Sequence, residues 1–79
     1  MKVLIEIPID IYYICIGRFA PSSWEYKILK NGIVKHDDRG EEVVEILCED
    51  SDSQSFRQAI VVACPEAANR IRVRPDTSN

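Results

Sequence analysis

The feature that most constrains this chain is an apolar segment near its start, from Val3 to Ile16. β-Branched residues dominate the segment and apolar residues alternate along its first half, a pattern typical of a strand largely buried in a core. It is shorter than the ~20 apolar residues that a membrane-spanning helix needs, and it is interrupted by Glu6, Pro8 and Asp10. We therefore predict a long core strand and no membrane span. Because proline has no N–H to donate, we expect a bulge or an unpaired side at Pro8.

The chain length of 79 residues suffices for one domain. A domain this small buries only about 60% of its extended-chain surface, so a second subunit would add stability. Its hydrophobic content of 46% is ordinary for a globular protein. We predict a single domain over residues 1–75 and a flexible tail over residues 76–79.

Three cysteines lie far apart in apolar stretches, at Cys15, Cys48 and Cys64, and none belongs to a C-x-x-C pair. A secreted domain of this size usually carries an even and dense set of disulfides. We therefore expect buried, reduced thiols and a cytoplasmic location.

The middle of the chain has the signals of a β-hairpin. Apolar and polar residues alternate over residues 24–28, and Asn31-Gly32 follows, a pair that tolerates the positive φ of a tight turn. Residues Ile33–His36 would return antiparallel, and residues 37–40 form a polar loop. The next stretch, Glu42–Leu47, is short enough for either state, but its β-branched residues favour a strand.

The last third predicts a helix and then a strand. Ser51, Asp52 and Ser53 are residues that cap helix N-termini, and apolar residues then recur with helical spacing from Phe56 until Pro65 ends the helix. Strict alternation over Arg70–Arg74 predicts a closing strand. The chain is therefore expected to be an α+β domain, with three to four mainly antiparallel N-terminal strands, one helix packed on the sheet and one C-terminal strand.

This order resembles the first half of the ribonuclease H fold. The segment Ile5–Asp10 is similar to that family's first strand and its catalytic aspartate, and Arg70–Ser78 is similar to a later strand followed by an Asp-Ser pair, with Asp76 as the acid. The resemblance implies a sheet whose first strand lies between the second and the last. The matching helix start, residues 53–58, has no glutamate, and two-metal chemistry needs several converging carboxylates. We therefore predict a protein without catalytic activity.

Alternation places three guanidinium groups on one side of the last strand, about 6–7 Å apart, close to the spacing of successive phosphates. The candidate anion-binding or partner-binding residues are Arg70, Arg72 and Arg74, which we call the arginine row, together with Arg57 and Arg18. Three other roles stay open: a protein or subunit contact, protection of an exposed strand against aggregation, and pairing with the acidic stretch over residues 37–52, within the chain or across a dimer.

The single histidine lies beside acids in His36-Asp37-Asp38, and together with the acidic stretch it raises the question of a bound cation. Adjacent residues rarely point at one ion, and the spaced pattern of a calcium loop is missing, so we favour a solvated loop. No metal site and no cofactor is predicted.

Together these observations favour a small, non-catalytic intracellular interaction module that binds a protein partner or forms a homodimer. The alternative is a nucleic-acid-binding, ribonuclease-H-like mini-domain that uses the arginine row. The net charge of −3 repels nucleic acid overall, so that alternative needs a local basic face.

Overall fold

This computed structural model describes residues 1–76, which form four strands, three α-helices and a short 3-10 helix. The elements in chain order are β1 (Lys2–Pro8), α1 (Ile9–Arg18), α2 (Trp24–Leu29), β2 (Ile33–His36), β3 (Glu42–Glu49), α3 (Asp50–Ala63), a short 3-10 helix (Pro65–Asn69) and β4 (Arg72–Pro75). The predicted α+β class is confirmed, although three α-helices stand where one was expected.

The four strands form one sheet in the order β2-β3-β1-β4, with every neighbouring pair antiparallel. β1 connects through α1 and α2 to β2, with β3 lying between them. β3 connects through α3 to β4, with β1 lying between them. This β-α-β-β-α-β connectivity is the split β-α-β arrangement, also called ferredoxin-like.

The strand order bears on the carboxylates that the ribonuclease H resemblance singles out. The neighbours of β1 in the sheet are the third strand, β3, and the last strand, β4. The resemblance implies the second strand and the last. Asp10 follows the end of β1, whereas Asp76 donates its N–H to the carbonyl of Lys2 at the other end. Seven strand residues span about 20 Å, so the antiparallel pairing of β1 and β4 holds these two carboxylates apart.

The first segment does not continue as one long strand, because β1 ends at Pro8 and α1 begins at Ile9. The apolar run carries two periodicities in succession. Alternate residues are buried in β1, whereas in α1 the buried residues Ile11 and Cys15 are four apart. Asp10 lies in the first turn of α1, where the helix dipole favours a negative charge.

The predicted hairpin at Asn31-Gly32 is wrong, because residues 24–29 are helical. Ser23 caps α2 by accepting a hydrogen bond from the N–H of Tyr26 at 3.2 Å. Gly32 then leads from the helix into β2, and a Cβ added there would lie 2.3 Å from Cγ1 of Val44. Glycine therefore serves close packing at this position and not a positive φ.

Two further boundaries differ from the sequence prediction. α3 begins at Asp50, before the expected cap, and the Ser53 hydroxyl instead donates to the Asp50 carbonyl at 2.8 Å. The closing strand spans Arg72–Pro75, so Arg70 lies outside it. The predicted strand over residues 42–47 is confirmed and extends to Glu49.

The core lies between the helices and one face of the sheet. Its buried members come from the central strands, all three helices and the 3-10 helix: Val3, Ile5, Ile7, Ile11, Cys15, Leu29, Val44, Ile46, Cys48, Phe56, Ile60, Cys64 and Ala67. The opposite face of the sheet, which we call the open face, has no helix packed on it within residues 1–76 and includes the half-exposed Leu47.

Of the predicted tail, Asp76 extends the pairing of β4 with β1 through its 3.2 Å hydrogen bond to Lys2, and residues 77–79 lie outside the described residues. Across residues 1–76, every helix falls short of the length and apolarity required to cross a membrane.

Candidate functional site

The arginine row is divided by the structure. Arg70 precedes β4 and makes a bidentate ion pair with Asp10 at the start of α1, with N–O distances of 3.0 and 3.2 Å. The hydrogen bonds and charge of Arg70 lower the pKa of the Asp10 carboxyl. This pair ties the end of the sheet to the helical layer.

Arg72 and Arg74 both lie on the open face. Arg74 Nη2 is 2.7 Å from a carboxylate oxygen of Glu45 and 3.2 Å from one of Glu6, so it reaches across β1 to β3. Arg72 Nη1 is 3.8 Å from Asp38 in the loop between β2 and β3. Pairing of the row with the acidic stretch therefore occurs within the chain.

The centre of the open face is acidic. Glu6 and Glu45 lie directly opposite each other on β1 and β3, and both side chains are only 12% exposed. Lys35 on β2 contacts Glu45 at 3.0 Å from one side, while Arg74 contacts both glutamates from the other. Cations from the two edge strands thus neutralise a pair of like charges that would otherwise destabilise the sheet.

The two remaining candidate arginines belong to the helical layer. Arg57 on α3 donates to the carbonyl of Ala68, and Arg18 at the end of α1 donates to the carbonyl of Ala63. Both side chains therefore join helical segments to one another, and the structure does not bring them together with Arg72 and Arg74.

The loop after β2 is organised by Asp37. Its carboxylate accepts hydrogen bonds from the N–H groups of Glu41 and Arg39, both at 2.9 Å, and these bonds lower its pKa, that of Glu41 most. Gly40 adopts a φ of 79° in the same turn. Residues 1–76 contain no group of three or more side chains that could hold a metal ion.

The three thiols lie in the core, as predicted. Burial raises the pKa of all three, and it raises that of Cys15, with the nearby Cys64 adding to the effect, to about 11. A neutral, buried thiol is a poor nucleophile, so these side chains act as packing groups.

The free edge of β2 carries backbone groups that the pairing with β3 leaves unused. The Asp37 N–H donates to the Glu41 carbonyl at 2.9 Å, in register with the β2–β3 ladder. Hydrogen-bonded pairs alternate along an antiparallel ladder, so Ile33 and Lys35 turn their backbone groups toward β3. Val34 and His36 consequently turn theirs outward.

The free edge of β4 is chemically different. The hydrogen bond between Asp76 and Lys2 sets the same alternation, so Val73 and Pro75 face outward on this edge. Pro75 has no N–H, and prolines and cations are common devices for blocking edge pairing. On β4, arginines lie on both sides of Val73 and a proline ends the strand, whereas β2 contains no proline.

Apolar side chains are exposed on both sides of β2. Ile33 is 61% exposed on the open face, next to the cross-strand pair Leu4 and Leu47, and Val34 is 52% exposed on the helix face. The sequence pattern did not indicate this edge, because residues 24–28 were expected to lie beside β2 as a partner strand. The available signal was the contrast between Ile33-Val34 and a closing strand that ends in proline.

Comparisons of this chain with protein-family models, with curated proteins and with solved structures found no match. Function is therefore inferred from the chemistry of the surface and of the two sheet edges.

Proposed function

We propose that this chain is a small, non-catalytic interaction module of the cytoplasm that binds protein by accepting a strand at the free edge of β2. The observation that carries the proposal is the difference between the two edges. Val34 and His36 offer outward backbone groups on β2, whereas Pro75 removes a donor from β4.

Strand addition uses main-chain hydrogen bonds for affinity and alternate side chains for specificity. On β2 the two neighbouring apolar residues point to opposite faces, so Ile33 would contact a partner on the open face and Val34 on the helix face. A four-residue strand with exposed apolar groups on both faces otherwise exposes the domain to aggregation.

The non-catalytic and cytoplasmic parts of the proposal rest on how polar and thiol groups are used. Asp10 forms an ion pair with Arg70, Asp37 stabilises a turn and Ser23 caps a helix, so each of these polar side chains has a structural role. The three unpaired, buried cysteines suit a reducing compartment.

Nucleic-acid binding through the arginine row is less well supported by the same contacts. Arg72 and Arg74 face carboxylates, and the central strands present Glu6 and Glu45 where a nucleic-acid-binding sheet needs cations or aromatic rings. If that alternative holds, the protein is retained by single-stranded DNA or RNA at low salt and Arg74→Ala weakens the retention.

The direct test is a selection of extended ten-residue peptides, displayed on phage, against the wild-type chain and two proline variants. Val34→Pro removes an outward N–H that the ladder of β2 with β3 does not use. Val73→Pro is the matched control, because it removes the corresponding outward N–H from β4. A thermal unfolding curve of each variant checks that the domain is intact.

We expect selected peptides to bind the wild type and Val73→Pro alike and to lose at least tenfold in affinity for Val34→Pro. Val34→Lys, which keeps the N–H but adds a charge, should also weaken binding. If no peptide is selected, or if peptides bind Val34→Pro as well as they bind the wild type, the proposal fails.

A further inference from the structure

We infer that the strand received by β2 is the β2 strand of a second copy of this chain, paired antiparallel about a two-fold axis at Val34. This inference rests on the proposed function and names its partner. Two features support it: the pattern of available backbone groups on the β2 edge, and the charges that each self-pairing would bring together.

An axis at Val34 uses both outward N–H groups of β2, those of Val34 and His36, and leaves only the His36 carbonyl of the strand without a partner. The two Val34 residues exchange a pair of hydrogen bonds, and each His36 N–H donates to the Gly32 carbonyl of the other copy, which makes about four bonds. The Gly32 N–H is not needed, since it already donates to the Leu29 carbonyl at 3.0 Å. In this register Ile33 lies opposite Lys35, so no like charges meet.

The neighbouring registers are worse for identifiable reasons. An axis at Lys35 also yields about four backbone bonds, but it places the two lysines directly opposite each other. An axis at Ile33 leaves His36 unpaired and yields about two bonds. An axis at His36 sets Val34 opposite Asp38, where the chain has already entered the turn organised by Asp37.

A two-fold axis perpendicular to the sheet gives a closed, isologous dimer. It joins two four-stranded sheets edge to edge, with the helices of both copies on one side and both open faces on the other. Ile33 of one copy then packs against the aliphatic stem of Lys35 of the second. The two unprotected edges are removed, and the outer edges of the joined sheet are the β4 strands that end in Pro75.

The interface is short, because β2 has four residues. It buries less than the ~800 Å² per partner of a standard interface, so we expect a weak and reversible dimer. A cross-link placed at the axis can trap such a species. In a hydrogen-bonded antiparallel pair the Cα atoms are about 5.5 Å apart, within the range that a disulfide spans.

The experiment oxidises Val34→Cys with copper phenanthroline and follows covalent dimer on non-reducing gels. Val73→Cys, on the outward position of β4, is the matched control, and Lys35→Cys tests the neighbouring register. Wild-type protein controls for the native thiols, which are buried. We expect Val34→Cys to form dimer at least tenfold faster than either comparison variant and the wild type to form none.

The inference is overturned if Val34→Cys cross-links no faster than Val73→Cys, and the register is overturned if Lys35→Cys is the faster. Failure of the inference is distinguishable from failure of the proposed function. Peptide binding that Val34→Pro abolishes, without cross-linking of Val34→Cys, would mean that β2 receives a strand from a different protein. If neither peptide binding at β2 nor cross-linking of Val34→Cys is observed, the β2 edge is not an interaction site.

Discussion

Val34 and Pro75 occupy corresponding positions on the two edges of one sheet, because each turns its backbone away from the neighbouring strand, yet only Val34 has an N–H to donate. This difference leaves β2 with two outward N–H groups, those of Val34 and His36, and leaves β4 with one, that of Val73, before the proline that ends the strand. The two arginines of β4 each contact a carboxylate. They are therefore better understood as internal ion pairs and as protection of this edge against aggregation than as a binding row.

Gly32→Ala should destabilise the domain by about 1–3 kcal/mol, because the new Cβ would lie 2.3 Å from Cγ1 of the buried Val44 and 3.1 Å from the Leu29 carbonyl oxygen. Gly17→Ala is the matched control: nothing lies within 4 Å of its added Cβ, and the residue is helical. Alanine there should be neutral or stabilising by about 0.5 kcal/mol. Urea denaturation measures both, and equal effects would refute the packing role of Gly32.

Arg74→Ala should lower the free energy of unfolding by about 1–2 kcal/mol, because it leaves Glu6 and Glu45 facing each other with little exposure to water. Arg72→Ala should change it by less than about 0.5 kcal/mol, because its partner Asp38 is 79% exposed and 3.8 Å away. Chemical denaturation compares the two variants. Similar losses from both would mean that the central glutamates do not depend on Arg74.

The Asp10–Arg70 pair should contribute stability that disappears at low pH. The folded-state pKa of Asp10 lies below its ordinary value of 3.8, so the contribution is present above about pH 4 and is lost as the pH falls through the lowered pKa. Because both side chains are about half exposed, the effect should be small and should shrink in high salt. A double-mutant cycle with Asp10→Asn and Arg70→Gln isolates it; a coupling that is unchanged at pH 2 would contradict this assignment.

The domain should lose stability in alkaline solution through its buried thiols. Burial raises the pKa of Cys15 from its ordinary value of 9.0 to about 11, so the contribution of the neutral thiol to stability is fully present below about pH 9 and is lost as the pH rises through 11. Cys15→Ala should show a shallower decline between these pH values in urea denaturation, whatever its stability at pH 7. Identical slopes for the variant and the wild type would rule out this origin of the pH dependence.

The fold class was predictable because Val3, Ile5 and Ile7 alternate along β1 and because Phe56 and Ile60 lie about one helical turn apart in α3. The side chains of both patterns lie in the core. The burial of the three thiols was predictable because each cysteine lies in an apolar stretch of the sequence. These features depend on local periodicity, which tertiary structure leaves unchanged.

The two missed helices have a common physical cause. Residues 9–16 are rich in β-branched side chains and residues 24–28 alternate, so local propensity favours strands in both. Pro8 and Ser23 start helices there, and packing of Cys15 and Leu29 against the sheet outweighs propensity. The contrast between Ile33-Val34 and a closing strand that ends in Pro75 is visible in the sequence, but that β2 is an edge strand depends on which strands are neighbours, a property of the whole fold.

Amide hydrogen exchange of the outward-facing residues, measured by NMR from dilute to concentrated solution, tests the central claim most directly. If β2 receives the strand of a second copy, the amides of Val34 and His36 become protected as the concentration rises, while that of Val73 on β4 exchanges at a constant rate. Val34 and His36 amides that exchange as fast at high concentration as at low, or protection that appears at Val73 instead, would contradict the account.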